Sequence, residues 1–218
     1  MSFLLPKPDG EPLTIGIMGG TFDPIHIGHL VTAEEARQQF DLDFVIFIPA
    51  GAPPHKDARY ISPAEHRYIM TMLAVVDNPY FTVSRLEIDR QKPSYTIDTV
   101  QSFIKIYDHQ LNLYFITGAD AILDIISWKD CELLLDSCYF IAASRPGYSF
   151  GKLKSVLKSV SPRMIKKVHL LEIPAMAVSS TFIRNRVAAG KTIKYLTPEA
   201  VEQYIYKNGL YIQGQNEV

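Results

Sequence analysis

The chain has 218 residues, with 22 lysines and arginines against 23 aspartates and glutamates and a formal net charge of -1. That length can bury one sizeable core, and the balanced charge excludes a global basic field for nucleic acid or an anionic membrane. No apolar run approaches the ~18–20 residues that span a bilayer, and the start, "MSFLLPKPDGEP", lacks the charged end, apolar stretch and cleavage site of a secretion signal.

Residues 1–12 read as a loose lead-in bearing proline and glycine. The run "TIGIM" (14–18) then predicts a first strand, and "GHLVTAEEARQQF" (28–40) a helix. A second strand, "FVIFIPA" (44–50), leads to "SPAEHRYIMTMLAVV" (62–76). There Ser62 is placed to cap a helix, Pro63 suits its first turn, and Glu65 would complete a capping box. "FTVSRLEI" (81–88) reads as a third strand and "TIDTVQSFIKIYD" (96–108) as a helix. "LNLYFITG" (111–118), "CYFIAAS" (138–144) and "KVHLLEI" (167–173) read as further strands, and "AILDIISW" (121–128) as one helix.

Several of these strands are continuously apolar, as strands covered on both faces tend to be. Alternating β and α elements imply βαβ units, hence an α/β fold with a doubly wound, mostly parallel sheet. Ligands of such sheets sit at the carboxyl ends of the strands. The segment after the sixth strand, 179–218, has two short helical patterns and no strong strand, and reads as a small C-terminal helical cap on the core of residues 13–178. The two cysteines, Cys131 and Cys138, have no metal-ligand spacing and suit reduced thiols in a cytoplasmic protein.

Two phosphate-site lookalikes fail on spacing. "VAAGKT" needs a glycine five residues before Gly190 to be a P-loop, and Asn185 stands there. Gly190 reads instead as the glycine that ends a helix. "GIMGG" lacks the G-x-G-x-x-G pattern, so hydride chemistry has no support.

Two other stretches do carry anion-binding chemistry. In "GGTFDPIHIGH" (19–29), Gly19 and Gly20 end the first strand, Asp23-Pro24 sets a turn, and a helix begins near Gly28. Its free N–H groups and dipole attract an anion, and the imidazoles of His26 and His29 can add donors. In "SSTFIR" (179–184), Ser179, Ser180 and Thr181 lie at a helix start with Arg184 one turn on. Hydroxyls, backbone N–H groups and a guanidinium there make a phosphate clamp, although a plain Ser/Thr N-cap has the same residues.

His26-Ile27-Gly28-His29 and Val178-Ser179-Ser180-Thr181-Phe182-Ile183-Arg184 together resemble the nucleotidyltransferase superfamily marked by H-x-G-H and I-S-S-T-x-x-R signatures, with Val178 in place of the usual isoleucine. "PPHK" (53–56), "SYTIDTV" (94–100), "ITGAD" (116–120), "SWKD" (127–130), "ASRPGY" (143–148) and "LTPEAVEQYIYKNGLY" (196–211) narrow the resemblance to the bacterial nicotinate-nucleotide adenylyltransferases, from about Thr14 to Tyr211. The resemblance implies a Rossmann-like fold and a reaction joining ATP to nicotinate mononucleotide, with deamido-NAD and pyrophosphate as products. The attacking phosphate oxygen is already an anion, so no general base is needed, and catalysis is positioning and charge stabilisation.

By that resemblance His26 and His29 contact the ATP phosphates, and Ser180, Thr181 and Arg184 hold the departing β- and γ-phosphates. Gly19, Gly20, Thr21, Phe22, Gly118 and Asp120 complete the ATP site. His55, Lys56, Tyr95, Thr96, Trp128 and Arg145 fall on the nicotinate mononucleotide side, with Arg59 a further cation on the same loop. The lone tryptophan, Trp128, offers a face for the cationic pyridinium ring. Mg²⁺ is expected to arrive with ATP rather than in a protein cage. The partners implied are the two substrates, with no nucleic acid and no membrane, and homo-oligomerisation is left open. Transfer to nicotinamide mononucleotide, phosphopantetheine or a cytidylyl acceptor, and a non-catalytic ATP sensor, are the competing readings.

Overall fold

The structure is a computed structural model that describes residues 12–53, 61–90, 93, 95–107, 111–144, 151, 154–155, 157–158 and 162–212. Six strands make one sheet: β1 (Leu13–Gly20), β2 (Phe44–Pro49), β3 (Phe81–Val83), β4 (Leu111–Gly118), β5 (Tyr139–Ser144) and β6 (Val168–Glu172). Their order is β3-β2-β1-β4-β5-β6, and every neighbouring pair is parallel. The chain therefore winds outward from β1 in both directions. The resulting switch point lies between the carboxyl ends of β1 and β4, where such sheets open a crevice.

The helices are α1 (Ile27–Gln39), α2 (Ala64–Val75), α3 (Thr96–Tyr107), α4 (Ala119–Leu123), α5 (Cys131–Ser137), α6 (Pro162–Lys167), α7 (Ser180–Ala188) and α8 (Glu199–Lys207). The apolar strands are explained by two separate cores, one on each face of the sheet. Ile46, Ile48, Phe115 and Phe140 face the core built with α3, α4 and α5. Their chain neighbours Val45, Phe47, Ile116 and Ile141 face the other, built with α1, α2, α7 and α8. Alternation survives, but both sides are apolar. Ile183 and Val187 of α7 and Val201 and Ile205 of α8 belong to this second core.

Three sequence expectations change. The third strand ends at Val83 rather than 88. Asp89 N–H bonds back to the Arg85 carbonyl, and Glu87 turns its carboxylate inward to accept from the Thr99 hydroxyl at 2.6 Å. The 121–128 helix is broken into α4 and a short 3₁₀ turn, Ile125–Ser127. Ser127 Oγ donates to the Asp124 carbonyl at 2.7 Å, a local bond that competes with helix continuation.

Ser62 is not a helix cap. Pro63 takes that position with no side-chain bond to the helix. Ser62 N–H goes instead to Asp23 Oδ2 at 3.1 Å and its carbonyl to Arg67 Nε at 2.9 Å, while Glu65 forms a two-pronged ion pair with Arg85. At the end of α7, Gly190 has φ +66° and donates to the Val187 carbonyl, and Lys191 N–H reaches Arg186. That is the left-handed helix stop expected of a glycine there.

Candidate active site

The carboxyl ends of β1 and β4 open into two clefts. The larger, about 600 Å³, is lined by Gly19 of β1, His26, Gly28, His29 and Thr32 around the start of α1, and Thr117, Gly118 and Asp120 at the end of β4. Ser144, Ile173, Met176 and Val178 close its far side. The smaller, about 210 Å³, is lined by Gly20, Thr21, Ala50 and Pro53, by Glu87, Thr96 and Thr99, and by Phe115 and Trp128. Gly19 and Thr117 line both, so the two clefts meet above the centre of the sheet.

The histidines form a compact unit at the helix entrance. His26 is the N-cap of α1, and its ring stacks on that of His29 with centroids 3.7 Å apart. A Cβ on Gly28 would lie 3.0 Å from His26 Nδ1, so the residue between the rings has to be small. His29 Nδ1 accepts the His26 backbone N–H at 3.2 Å. In the neutral ring the proton is therefore on Nε2, which makes that nitrogen a donor. Burial pushes the His26 pKa down to about 4. His29 is held well below its usual value, first by burial and then by its neighbour. Both imidazoles are neutral at pH 7, and His26 Nδ1 is buried with no hydrogen-bond partner among the described residues.

Phe22 lines neither cleft. It is 2% exposed, has φ +49°, and stands edge-on to His29 at 5.1 Å between centroids. It braces the His29 ring from behind, and a Cβ on Gly20 would meet the Phe22 ring at 2.8 Å. Gly20 thus makes room for the brace as well as lining the smaller cleft.

The α7 triad is turned onto the motif loop. Ser180 Oγ donates to the Pro24 carbonyl at 2.8 Å. Arg184 donates to the Asp23 carbonyl at 2.8 Å and to Thr181 Oγ1 at 3.2 Å. Ser179 is the true N-cap, accepting from Phe182 N–H. None of Ser180, Thr181 and Arg184 lines either cleft, while Val178, just before them, lines the larger. Anion-binding groups are present at this helix start, but each already has a protein partner.

On the smaller cleft, Trp128 lies edge-on to Phe115 at 6.0 Å between centroids, and Thr96 lines the wall. Tyr95 sits outside the lining, with Lys129 Nζ 4.8 Å from its ring centroid. His55, Lys56, Arg59 and Arg145 lie outside the described residues. Sequence reading missed Thr32, Glu87, Thr99, Ser144 and Met176. Glu87 left no distinct trace, because "FTVSRLEI" also holds Thr82, Ser84 and Arg85. Ser144 left one: it ends β5, at the same level as Gly118 one residue beyond its partner Ala143. Among the described residues no group of three or more His, Cys, Asp or Glu is arranged to hold a metal ion.

A parallel sheet of this order, with the starts of α1 and α4 at the switch point between β1 and β4, is a Rossmann-like α/β core. Residues 17–186 match the model of the family described as "Cytidylyltransferase-like". A Moorella thermoacetica protein described as "Probable nicotinate-nucleotide adenylyltransferase" is 56% identical over 201 residues, covering 92% of this chain and 93% of its own. A Thermoanaerobacter protein of the same description is 53% identical over 199 residues, 91% of this chain and 94% of its own. The chain belongs to the cytidylyltransferase-like family and, within it, to the nicotinate-nucleotide adenylyltransferases. The solved structure "Plasmodium falciparum nicotinic acid mononucleotide adenylyltransferase complexed with NaAD" shares the fold, with a TM-score of 0.75 at 23% identity over 91% of this chain and 97% of that one.

Proposed function

We infer that the chain transfers the adenylyl group of ATP to nicotinate mononucleotide, releasing pyrophosphate and forming deamido-NAD for NAD synthesis. The observation that carries this is the pair of clefts meeting at Gly19 and Thr117. A transfer between two nucleotides needs two sites with one shared wall, so that acceptor oxygen and α-phosphorus are held within reach.

The larger cleft suits ATP. Its α1 end offers the positive end of the helix, with Gly28 in the lining, and neutral imidazole donors for the phosphates, and Asp120 offers a carboxylate to hydroxyl or amine donors. The smaller cleft suits the mononucleotide, with Trp128 as a platform for the pyridinium ring. The acceptor phosphate oxygen attacks the α-phosphorus, and the bond from that phosphorus to the β-phosphate oxygen breaks. No proton need be removed from the nucleophile. His29 Nε2–H is a fixed donor for charge developing on phosphate oxygens. Arg184 and Ser180 would receive the departing pyrophosphate once they exchange their loop carbonyls for it, with the Thr181 hydroxyl, now held by Arg184, beside them. The donors around the larger cleft are mostly imidazole, hydroxyl and backbone groups, so Mg²⁺ would come on the triphosphate and its waters.

The test is turnover of ATP with the acid and the amide mononucleotide in parallel, followed by pyrophosphate release. The acid is expected to be strongly preferred. Preference for the amide, or no pyrophosphate with either, overturns the reading.

A further inference from the structure

Arg67 of α2 is 2% exposed and makes no ion pair among the described residues, yet every nitrogen of its guanidinium is used. Nε donates to the Ser62 carbonyl at 2.9 Å, one terminal nitrogen to the Thr21 carbonyl at 3.0 Å, and the other to the Gly51 carbonyl at 3.1 Å. A buried cation answered only by neutral carbonyls is an expensive arrangement. The nearby Asp23 carboxylate favours its charge, and that carboxylate is itself held by Ser62 N–H and Tyr211 Oη.

The three carbonyls belong to different segments. Thr21 follows β1 and lines the smaller cleft. Gly51 follows β2, between the lining residues Ala50 and Pro53. Gly51 also packs directly on the backbone of Glu87, a third lining residue, so closely that a Cβ there would overlap the Glu87 carbonyl. One planar fork therefore fixes the spacing of two pieces of the wall, with Glu87 packed on the second, and none of its atoms lines either cleft.

We propose that Arg67 is a positioning residue that sets the width of the smaller cleft by bridging the loops after β1 and β2, and so governs affinity for the acceptor mononucleotide. This rests on reading the smaller cleft as the acceptor site. A planar guanidinium is required because a lysine ammonium cannot satisfy three carbonyls in this fixed fork. The larger cleft shares only Gly19 and Thr117 with the smaller, and its His26 and His29 are fixed by α1, so loosening this bridge is expected to act chiefly on the smaller cleft.

The test is steady-state kinetics of Arg67→Met and Arg67→Lys, with each substrate varied at saturation of the other and folding checked by circular dichroism. KM for nicotinate mononucleotide is expected to rise about tenfold or more in Arg67→Met and less in Arg67→Lys, with KM for ATP within about twofold of the parent. Gly51→Ala, which displaces the same carbonyl from the other side, is expected to show the same split. A general structural defect would instead lower the active fraction or move both KM values together. An unchanged mononucleotide KM in a folded variant, or a parallel rise in both, overturns the proposal. Should Arg67→Met fail to fold, Arg67→Lys and Gly51→Ala decide by the same criterion. Trp128→Ala is run alongside. If it too leaves the mononucleotide KM unchanged, the assignment of the smaller cleft has failed; if it raises that KM while the Arg67 variants do not, only the role of Arg67 has failed.

Discussion

His29 spends one ring nitrogen on the backbone of His26, which leaves the other as its only proton carrier. Two consequences belong to this single residue and its stacked neighbour. His29→Ala should lower kcat by at least tens-fold with the fold intact, because a fixed donor to the reacting phosphates is lost; comparison of kcat and circular dichroism checks it. The second concerns pH. The His26 pKa falls from 6.5 in the unfolded chain to about 4 in the fold, so the unfolded state binds more protons between those values. The stabilisation is complete above pH 6.5 and declines as pH falls toward 4, by roughly 1.4 kcal/mol per unit and up to about 3 kcal/mol in all. Urea titrations at pH 7 and pH 5 should show the loss, and His26→Asn should shrink it. An equal loss in both proteins would assign the acid sensitivity elsewhere. Much of this pair was legible in the sequence, since glycines, turn and helix start are local signals. The unpartnered Nδ1 and the Phe22 brace were not, because Phe22 looked like part of a ligand-facing loop.

At the scale of elements, the helix stop at Gly190 and the helix start at Ser179 were read from local residues, and the start of α2 was not. Gly190 sits at φ +66° with open space where a Cβ would go. Gly190→Ala therefore meets backbone strain and no collision, and should cost about 1 kcal/mol in a denaturant titration. Its kcat/KM values should be unchanged, since Gly190 lines neither cleft. The start of α2 was misread for a reason the sequence window does not contain. Asp23, 39 residues earlier, takes the N–H of Ser62, and Arg67 takes its carbonyl. Glu87 was hidden the same way. Its partner Thr99 comes from α3, and only the folded arrangement turns the segment after β3 into a cleft wall.

For the molecule as a whole, the doubly wound sheet was foreseeable from alternating elements, and the continuously apolar strands among the six follow from two apolar cores rather than one. The long closure from the C-terminal region back to the motif loop was not foreseeable. Tyr211 Oη donates to Asp23 Oδ1 at 2.6 Å across 188 positions, Thr197 donates to the Ile25 carbonyl, and Ile27 N–H bonds to the Leu196 carbonyl. Tyr211→Phe leaves a buried carboxylate with one donor fewer and should lower stability by about 1–3 kcal/mol. Thermal unfolding of the variant checks this, and an unshifted midpoint would mean that the C-terminal region docks by apolar contact alone. The same loop also receives Ser180 and Arg184 of α7, so the C-terminal region and α7 hold it together.

The common wall of Gly19 and Thr117 has a kinetic consequence for what leaves the enzyme. On the assignment proposed above, each substrate grips one cleft, and the dinucleotide formed by their union grips both through a single covalent bridge. Its second half rebinds from an effective concentration in the millimolar range rather than from bulk solution. Residence time should therefore be longest for the product, and a rapid-mixing experiment should show a first burst of pyrophosphate followed by a slower steady rate set by dinucleotide escape.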